Sequence, residues 1–191
     1  MSEATVRKAN YADLEAVPPH LVAEIIYGVL ETHPRPAPRH GVAATRLSSV
    51  VGPPFDLGSG GPGGWIFIGE PELHLGPHVV VPDLAGWRVE RLPRLPRTAF
   101  VETPPDWVCE LLSPVTSNRD RGAKRRIYGT FNVCHYWLVD PALRQLEVFE
   151  LTASKWQLFE TFVENAEVRA PPFDAIAFSL GLLWPLDLEP E

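Results

Sequence analysis

A chain of 191 residues, 45% of them apolar, can bury a core of its own, and a single domain over residues 1–191 is expected. A formal net charge of −7 argues against a surface built for tight, sequence-blind binding to nucleic acid, since such binding draws on many Lys and Arg that release counterions; it does not exclude an enzyme that acts on nucleic acid. The two cysteines, Cys109 and Cys134, fall in predicted strands without metal-ligand spacing and read as buried thiols of a reducing compartment; no run is apolar enough to cross a bilayer and the first ten residues hold no apolar signal core, so a cytoplasmic protein is expected.

Residues 11–16, YADLEA, predict a short amphipathic turn capped by Asn10 and stopped by Pro18 and Pro19. HLVAEIIYGVLETHP reads as two strands joined at Tyr27-Gly28, because glycine accepts the positive φ of a tight hairpin. Glu24 lies in the first of them, where the sequence alone favours an exposed strand acid. From Pro38 to Val51 the spacing of Val42, Ala43, Leu47 and Val50 predicts the first core helix, with Gly52 past its end. His40, in its first turn, reads as a capping or surface residue. PPFDLGSGGPGG is expected to be a loop that buries no core side chain, and it lacks the Gly-Lys-Ser/Thr of a phosphate loop.

WIFIGEPELHL and HVVVPDLAGW predict an antiparallel pair turning at Gly76-Pro77, irregular between Gly69 and Glu72. Pro82 interrupts pairing just before Asp83, and such a break can re-aim a carboxylate out of the ladder; the plain alternative is a Pro-Asp turn. The proline-spaced stretch RVERLPRLPRTAFVETPPD predicts a surface connection. Basic residues concentrate at Arg88–Arg97 and Arg119–Arg126, and both runs read as solvated faces.

DWVCELLSP predicts a central strand, apolar on both faces except for Glu110. A carboxylate embedded among Val108, Leu111 and Leu112 is costly unless paired or metal-bound, which makes it the strongest functional signal in the chain. A helix from Asp120 through Tyr128 sets Asp120, Lys124 and Tyr128 on one face, either as part of a site or as a surface ion pair beneath a core tyrosine. HYWLVDP and RQLEVFEL predict two strands, SKWQLFETF another, and FSLGLLW a short apolar helix or hook with Leu182, Leu183 and Trp184 in the core. Two acids from adjacent strands and a lysine from the next helix can hold a hard divalent cation through oxygen and steady an attacking water, the chemistry of metal-assisted phosphodiester cleavage.

These segments also carry a resemblance. VPD, then W-V-C-E-L-L-S-P-V-T, then D-x-x-x-K-x-x-x-Y, then H-Y-W-L-V-D-P resembles the Uma-two family of restriction-endonuclease-like proteins, a branch of the PD-(D/E)XK nuclease superfamily, from about Asn10 to about Trp184. The resemblance implies an α/β (α+β) fold: a restriction-endonuclease-like core of α-β-β-β-α-β order, a mixed β-sheet flanked by helices, with an N-terminal β-hairpin and extra C-terminal strands. It implies an endonuclease hydrolysing DNA with Mg²⁺ or Mn²⁺, Asp83 and Glu110 as metal ligands, and Lys124 in the chemistry. The position two after Glu110 is Leu112 where the superfamily has lysine, so the ammonium is expected from Lys124 on the helix. The family pattern E-x-x-x-G-x-L at Glu24 brings that residue in as a third metal-site acid, and the resemblance sets the turn holding His40 near the acids. It leaves the roles of His40, Asp120 and Tyr128 unassigned. DNA is the expected partner, bound weakly without a specific sequence or partner system; a membrane partner is not expected, and a homodimer is left open. Two other readings stand beside this one: an inactive nuclease fold serving as a binding or dimerisation module, favoured by the net acidity and Leu112, and metal-assisted hydrolysis of a different phosphoester.

Overall fold

The computed structural model describes residues 7–35 and 37–184. Asn10 caps α1 (Tyr11–Glu15) by accepting from the amides of Ala12 and Asp13, while Asp13 accepts from the Asn10 amide in return. The N-terminal hairpin pairs β1 (Leu21–Ile26) with β2 (Val29–Pro34) about Tyr27 and Gly28, both at positive φ. The long helix α2 (Pro38–Phe55) follows. It runs one turn further than its sequence predicts, through Pro53 and Pro54, each of which removes an amide donor. Ala43, Leu47, Val51 and Phe55, four apart, are all buried, and this stripe holds the last turn in place. The glycine-rich loop therefore begins at Asp56, and Phe55, expected in that loop, is a core residue whose ring lies 4.8 Å from that of Phe173.

The remaining strands are β3 (Trp65–Gly69), β4 (Glu72–Leu75), β5 (His78–Val80), β6 (Leu84–Arg88), β7 (Phe100–Val101), β8 (Trp107–Leu111), β9 (His135–Asp140), β10 (Gln145–Thr152), β11 (Lys155–Val163), β12 (Glu167–Val168) and β13 (Phe178–Ser179). They form a six-stranded mixed sheet in the order β11-β10-β9-β8-β6-β3, a five-stranded sheet in the order β2-β1-β5-β4-β7, and a small β12-β13 pair. The predicted antiparallel pair about Gly76-Pro77 is present, but each of its arms is split between the two larger sheets. β4 and β5 pair in the smaller sheet; β3 and β6 pair in the larger. The chain changes sheet at Glu70 and again at Val81–Asp83, and the Glu70 amide bonds the Asp83 carbonyl where the two crossings meet.

The parallel pair β8-β9 runs through the middle of the large sheet, as the α-β-β-β-α-β order requires. Residues of β8 and β9 alternate between two cores. Trp107, Cys109, Leu111, Trp137 and Val139 pack with α2 and the C-terminal segment. Val108, Leu112, Tyr136 and Leu138 pack on the other face with Ile127 and Tyr128. These last two belong to the helix over residues 117–130, which is α-helical at Ser117–Arg119 and Arg125–Thr130 and π-helical at Asp120–Lys124.

Other expectations need correction. Cys109 is buried but Cys134 is exposed, lying just before β9 rather than inside a strand. The connection after β6 is not purely superficial: Leu92 and Val101 are buried, and β7 adds a parallel edge to the small sheet. The terminal FSLGLLW forms β13 and a 3-10 turn that buries Leu183 and Trp184 but exposes Leu182, because a single short turn presents only one side to the core. No helix among the described residues is long and apolar enough to cross a membrane.

Phe55 separates the loop expectation from the observed helix. Phe55→Ala should destabilise the protein by about 3–5 kcal/mol in denaturant titration, the usual cost of emptying a core aromatic site, where a residue in an exposed loop would cost under about 0.5 kcal/mol.

Candidate active site

The break between β5 and β6 builds one wall of the site. Pro82 has no amide to give to a ladder, and the chain leaves β5 after Val80. Val81 thereby keeps both its peptide groups for side chains: its amide donates to Glu24 Oε1 at 2.8 Å, and its carbonyl accepts from Lys124 Nζ at 3.1 Å. Pairing of β1 with β5 at Ile25 and Val79 is what carries Glu24 to this place. Asp83, just beyond the break, points out of the ladder. Its Oδ2 accepts the Leu111 amide at 2.7 Å and its Oδ1 lies 2.6 Å from His40 Nε2.

The opposite wall is β8 and the 117–130 helix. Glu110 lies on the face of β8 that carries Val108 and Leu112, so it points toward the helix. Its Oε1 accepts from Tyr128 at 2.7 Å and pairs with Lys124 Nζ at 2.7 Å. Lys124 Nζ also lies 3.0 Å from Glu24 Oε1 and 3.8 Å from Asp120 Oδ1. Glu24 is fully buried, and Glu110, Asp120 and Lys124 are each 2% exposed. The cluster is therefore one ammonium inside three carboxylates, almost wholly withdrawn from bulk water. Asp120, Lys124 and Tyr128 share this inner face, which excludes the surface ion pair that the sequence left open.

Burial and charge shape each proton affinity. Burial pushes the Glu110 carboxyl well above its ordinary range, against the pull of Lys124, and Asp120, Asp83 and Glu24 push it the same way. Asp120 is raised by burial too. Burial also works on Glu24, but Lys124, Arg119 and the Val81 amide outweigh it and hold that carboxyl below its usual range. Burial alone would strip Lys124 of its proton, yet Glu110, Glu24 and Asp120 hold the ammonium well above its ordinary value. Tyr128 is held neutral by burial and by the Glu110 charge.

Arg119 is the participant that the sequence did not single out. It sits in a basic run read as a solvated face, yet its side chain is only 13% exposed; Nε lies 3.4 Å from Glu24 Oε2 and Nη1 bonds Glu31 at 2.9 Å. Arg119 and Lys124 thus face inward, because three buried acids on one side of the helix demand positive charge there. A residue five before Lys124 reaches the same face through the π-helical turn, for which the sequence has no signal. His40, read as a cap or surface residue, bonds no backbone of its own helix and pairs with Asp83 instead.

A cleft of about 260 Å³ opens between these walls, lined by Asp83, Glu110, Asp120, Lys124, His40 and Arg119, with an apolar rim at Pro34, Pro114 and Val115. The donor set is all oxygen apart from His40, which suits Mg²⁺, Mn²⁺ or Ca²⁺ rather than zinc. Glu24 Oε2 and Asp120 Oδ1 are buried without a hydrogen-bond donor, and the charges nearest them are Arg119 Nε at 3.4 Å and Lys124 Nζ at 3.8 Å. Among the described residues no three His, Cys, Asp or Glu side chains already converge on one ion position. The residues present fit a divalent cation in chemistry, with the ammonium of Lys124 now standing among them.

A mixed sheet with a buried acid on its central strand, a second acid at the break before the neighbouring strand and a lysine on the packed helix is a nuclease-type fold. The chain belongs to the Uma2 family, described as "Putative restriction endonuclease", whose model matches residues 9–182. It is also similar to a solved structure, a "putative nuclease belonging to DUF820" from Anabaena variabilis ATCC 29413, with a TM-score of 0.70 and 23% identity over 90% of this chain and 94% of that one, a likeness of fold. No curated protein matches the chain.

Lys124→Met tests the cluster as a charge balance. Removing the ammonium leaves three buried carboxylates facing one another, a loss expected to cost about 3–5 kcal/mol at neutral pH. The sign with pH is set by Glu110 and Asp120: the fold raises both carboxyls above their ordinary values, so the folded state binds more protons than the unfolded one as pH climbs past the ordinary carboxylate range. The variant should therefore lose stability steadily as pH rises from 5 to 8, a slope that denaturant titrations at each pH read directly. Equal stability of variant and wild type at pH 8 would mean that water, not Lys124, balances these acids.

Proposed function

We propose that this cleft is the active site of a divalent-metal-dependent endonuclease that hydrolyses phosphodiester bonds in DNA. The observation that carries the reading is the meeting of Asp83, Glu110 and Lys124 from three separate elements at one cleft, beside Glu24. Asp83 and Glu110 would hold Mg²⁺ or Mn²⁺, with Glu24 completing or buffering the site. A cation bound there supplies charge to offset the negative charge that builds on the phosphoryl oxygens. The chain's own groups do the rest. His40 and the Leu111 amide fix both oxygens of Asp83, so the carboxylate is presented in one orientation. Tyr128 and Lys124 both hold Oε1 of Glu110. Lys124 lines the cleft with an ammonium that can orient a water for attack or meet charge on the phosphorane. Membership of a family described as "Putative restriction endonuclease" supports the same class of chemistry, and the fold is shared with a "putative nuclease".

A second reading has an observation in its favour. Lys124 already pairs with one oxygen of Glu110 and one of Glu24, and a net charge of −7 gives little non-specific affinity for DNA, as expected for a nuclease fold retained as a binding module.

The two are separated by calorimetry and a cleavage time course on several DNA forms at low salt with Mg²⁺ or Mn²⁺. The wild type should bind the ion at millimolar concentration or below and cut DNA. Asp83→Ala and Glu110→Ala should lose ion binding, and cleavage should fall by at least about 100-fold. Lys124→Met should lower turnover more than it lowers ion affinity. A folded wild type that takes up no divalent ion at millimolar concentration leaves the binding module as the account of the cleft.

A further inference from the structure

The large sheet ends on β11, which spans nine residues and pairs only with β10 among the described strands. A long edge is ordinarily blunted by prolines, brevity, charged side chains or bulges, and of these β11 has the bulge opposite Val148 and Phe149 and the exposed charges of Lys155 and Glu160. This one has no proline, and apart from Trp156 and Phe162 its side chains are exposed, including Leu158 at 54%, Phe159 at 47% and Val163 at 51%. We propose that β11 is a homodimer interface, on which β11 of a second copy pairs antiparallel so that the two six-stranded sheets become one. The proposal stands on the sheet edge alone and does not depend on the nuclease reading.

The hydrogen-bonding parity of the strand selects one register. Leu151 gives its amide to Cys134 on the β9 side, so its opposite number Trp156, and Leu158 two further on, turn their peptide groups away from β10. The register shifts at Val148 and Phe149, where β11 bulges at Leu158–Glu160. Past it, Glu164 donates to the Arg144 carbonyl on β10, so Val163 and Thr161 turn outward. The outward set is thus Trp156, Leu158, Thr161 and Val163. A two-fold axis between Phe159 and Glu160 matches this set to itself through the bulge, Trp156 opposite Val163 and Leu158 opposite Thr161. Registers centred elsewhere keep the match only over one half of the strand.

The same register places Lys155 opposite Glu164 of the second copy at both ends of the ladder, a complementary pair that Arg144, 3.3 Å from Glu164, leaves accessible since Glu164 is exposed. It also covers the exposed Leu158 and Val163 with the rim of the other sheet, on the side that bears Trp156 and the 117–130 helix. One feature opposes it: Glu160 comes next to its own copy beside the axis, so the dimer should be of moderate strength and sensitive to that charge.

Sedimentation of the full chain at about 1 to 100 µM, a range suited to a small interface, tests this. The wild type should form a dimer with a dissociation constant in the micromolar range. Thr161→Pro removes an outward amide without touching the β10 ladder, and Leu158→Lys sets a charge on the rim; both should remain monomeric at the top of the range while melting at the wild-type temperature measured in dilute solution. Glu160→Gln should tighten the dimer about tenfold, which only the register centred beside that residue requires. A wild type that is monomeric throughout overturns the proposal. So does a dimer that ignores Thr161→Pro and Leu158→Lys, or one that ignores Glu160→Gln.

Discussion

One buried ammonium governs the centre of this protein. Lys124 lies within 4 Å of Glu24, Glu110 and Asp120, and each of these groups is at most 2% exposed. Carboxylates that close together repel strongly in a medium of low dielectric, and without the ammonium they would have to take up protons. Each acid comes from a different element, β1, β8 and the 117–130 helix. The charge balance therefore locks the small sheet, the large sheet and the helix to a single point, and the surrounding hydrogen bonds follow from it. Tyr128 closes on Glu110, and Tyr136 closes on the Asp120 carbonyl at 3.0 Å, so the aromatic core beneath the cluster carries its hydroxyls toward partners.

The second constraint is the pair of crossings between sheets. A strand that continued through Val81–Asp83 would spend the peptide groups of Val81 on a neighbour and point Asp83 into a ladder. Because Pro82 ends the pairing, those groups hold Glu24 and Lys124, and Asp83 is free to be oriented by His40 and Leu111. The cleft sits where the two sheets part, which is why its lining combines backbone from β5–β6, side chains from α2 and β8, and the apolar rim of the turn at residues 113–116. The π-helical turn at Asp120–Lys124 belongs to the same device, since it brings Arg119 onto Glu24 while Lys124 reaches Glu110.

Much of this was legible in the order of residues. The caps and turns are local: Asn10 before α1, Tyr27-Gly28 in the hairpin and Gly76-Pro77 between β4 and β5 act within a few residues of themselves. Strand β8 announced itself as an apolar run around one acid, and the mixed sheet with its flanking helices followed from the order of elements. Expectations failed where a distant segment decided the outcome. Phe55 looked like a loop residue because two prolines precede it, but Phe173 and the α2 stripe bury it. Arg119 looked solvated because its neighbours are basic, but Glu24 and Glu31 reach it from the N-terminal hairpin.

Spacing along the chain was enough to set the local periodicities, the turns and an order of acids and a lysine that resembles a nuclease family. That His40 grips Asp83, that Arg119 turns inward and that Lys124 occupies the middle of the acids follows from how distant segments pack together. Those contacts join residues as far apart in the chain as Lys124 and Glu24, and their strength comes from exclusion of water, a property no residue has until the fold surrounds it.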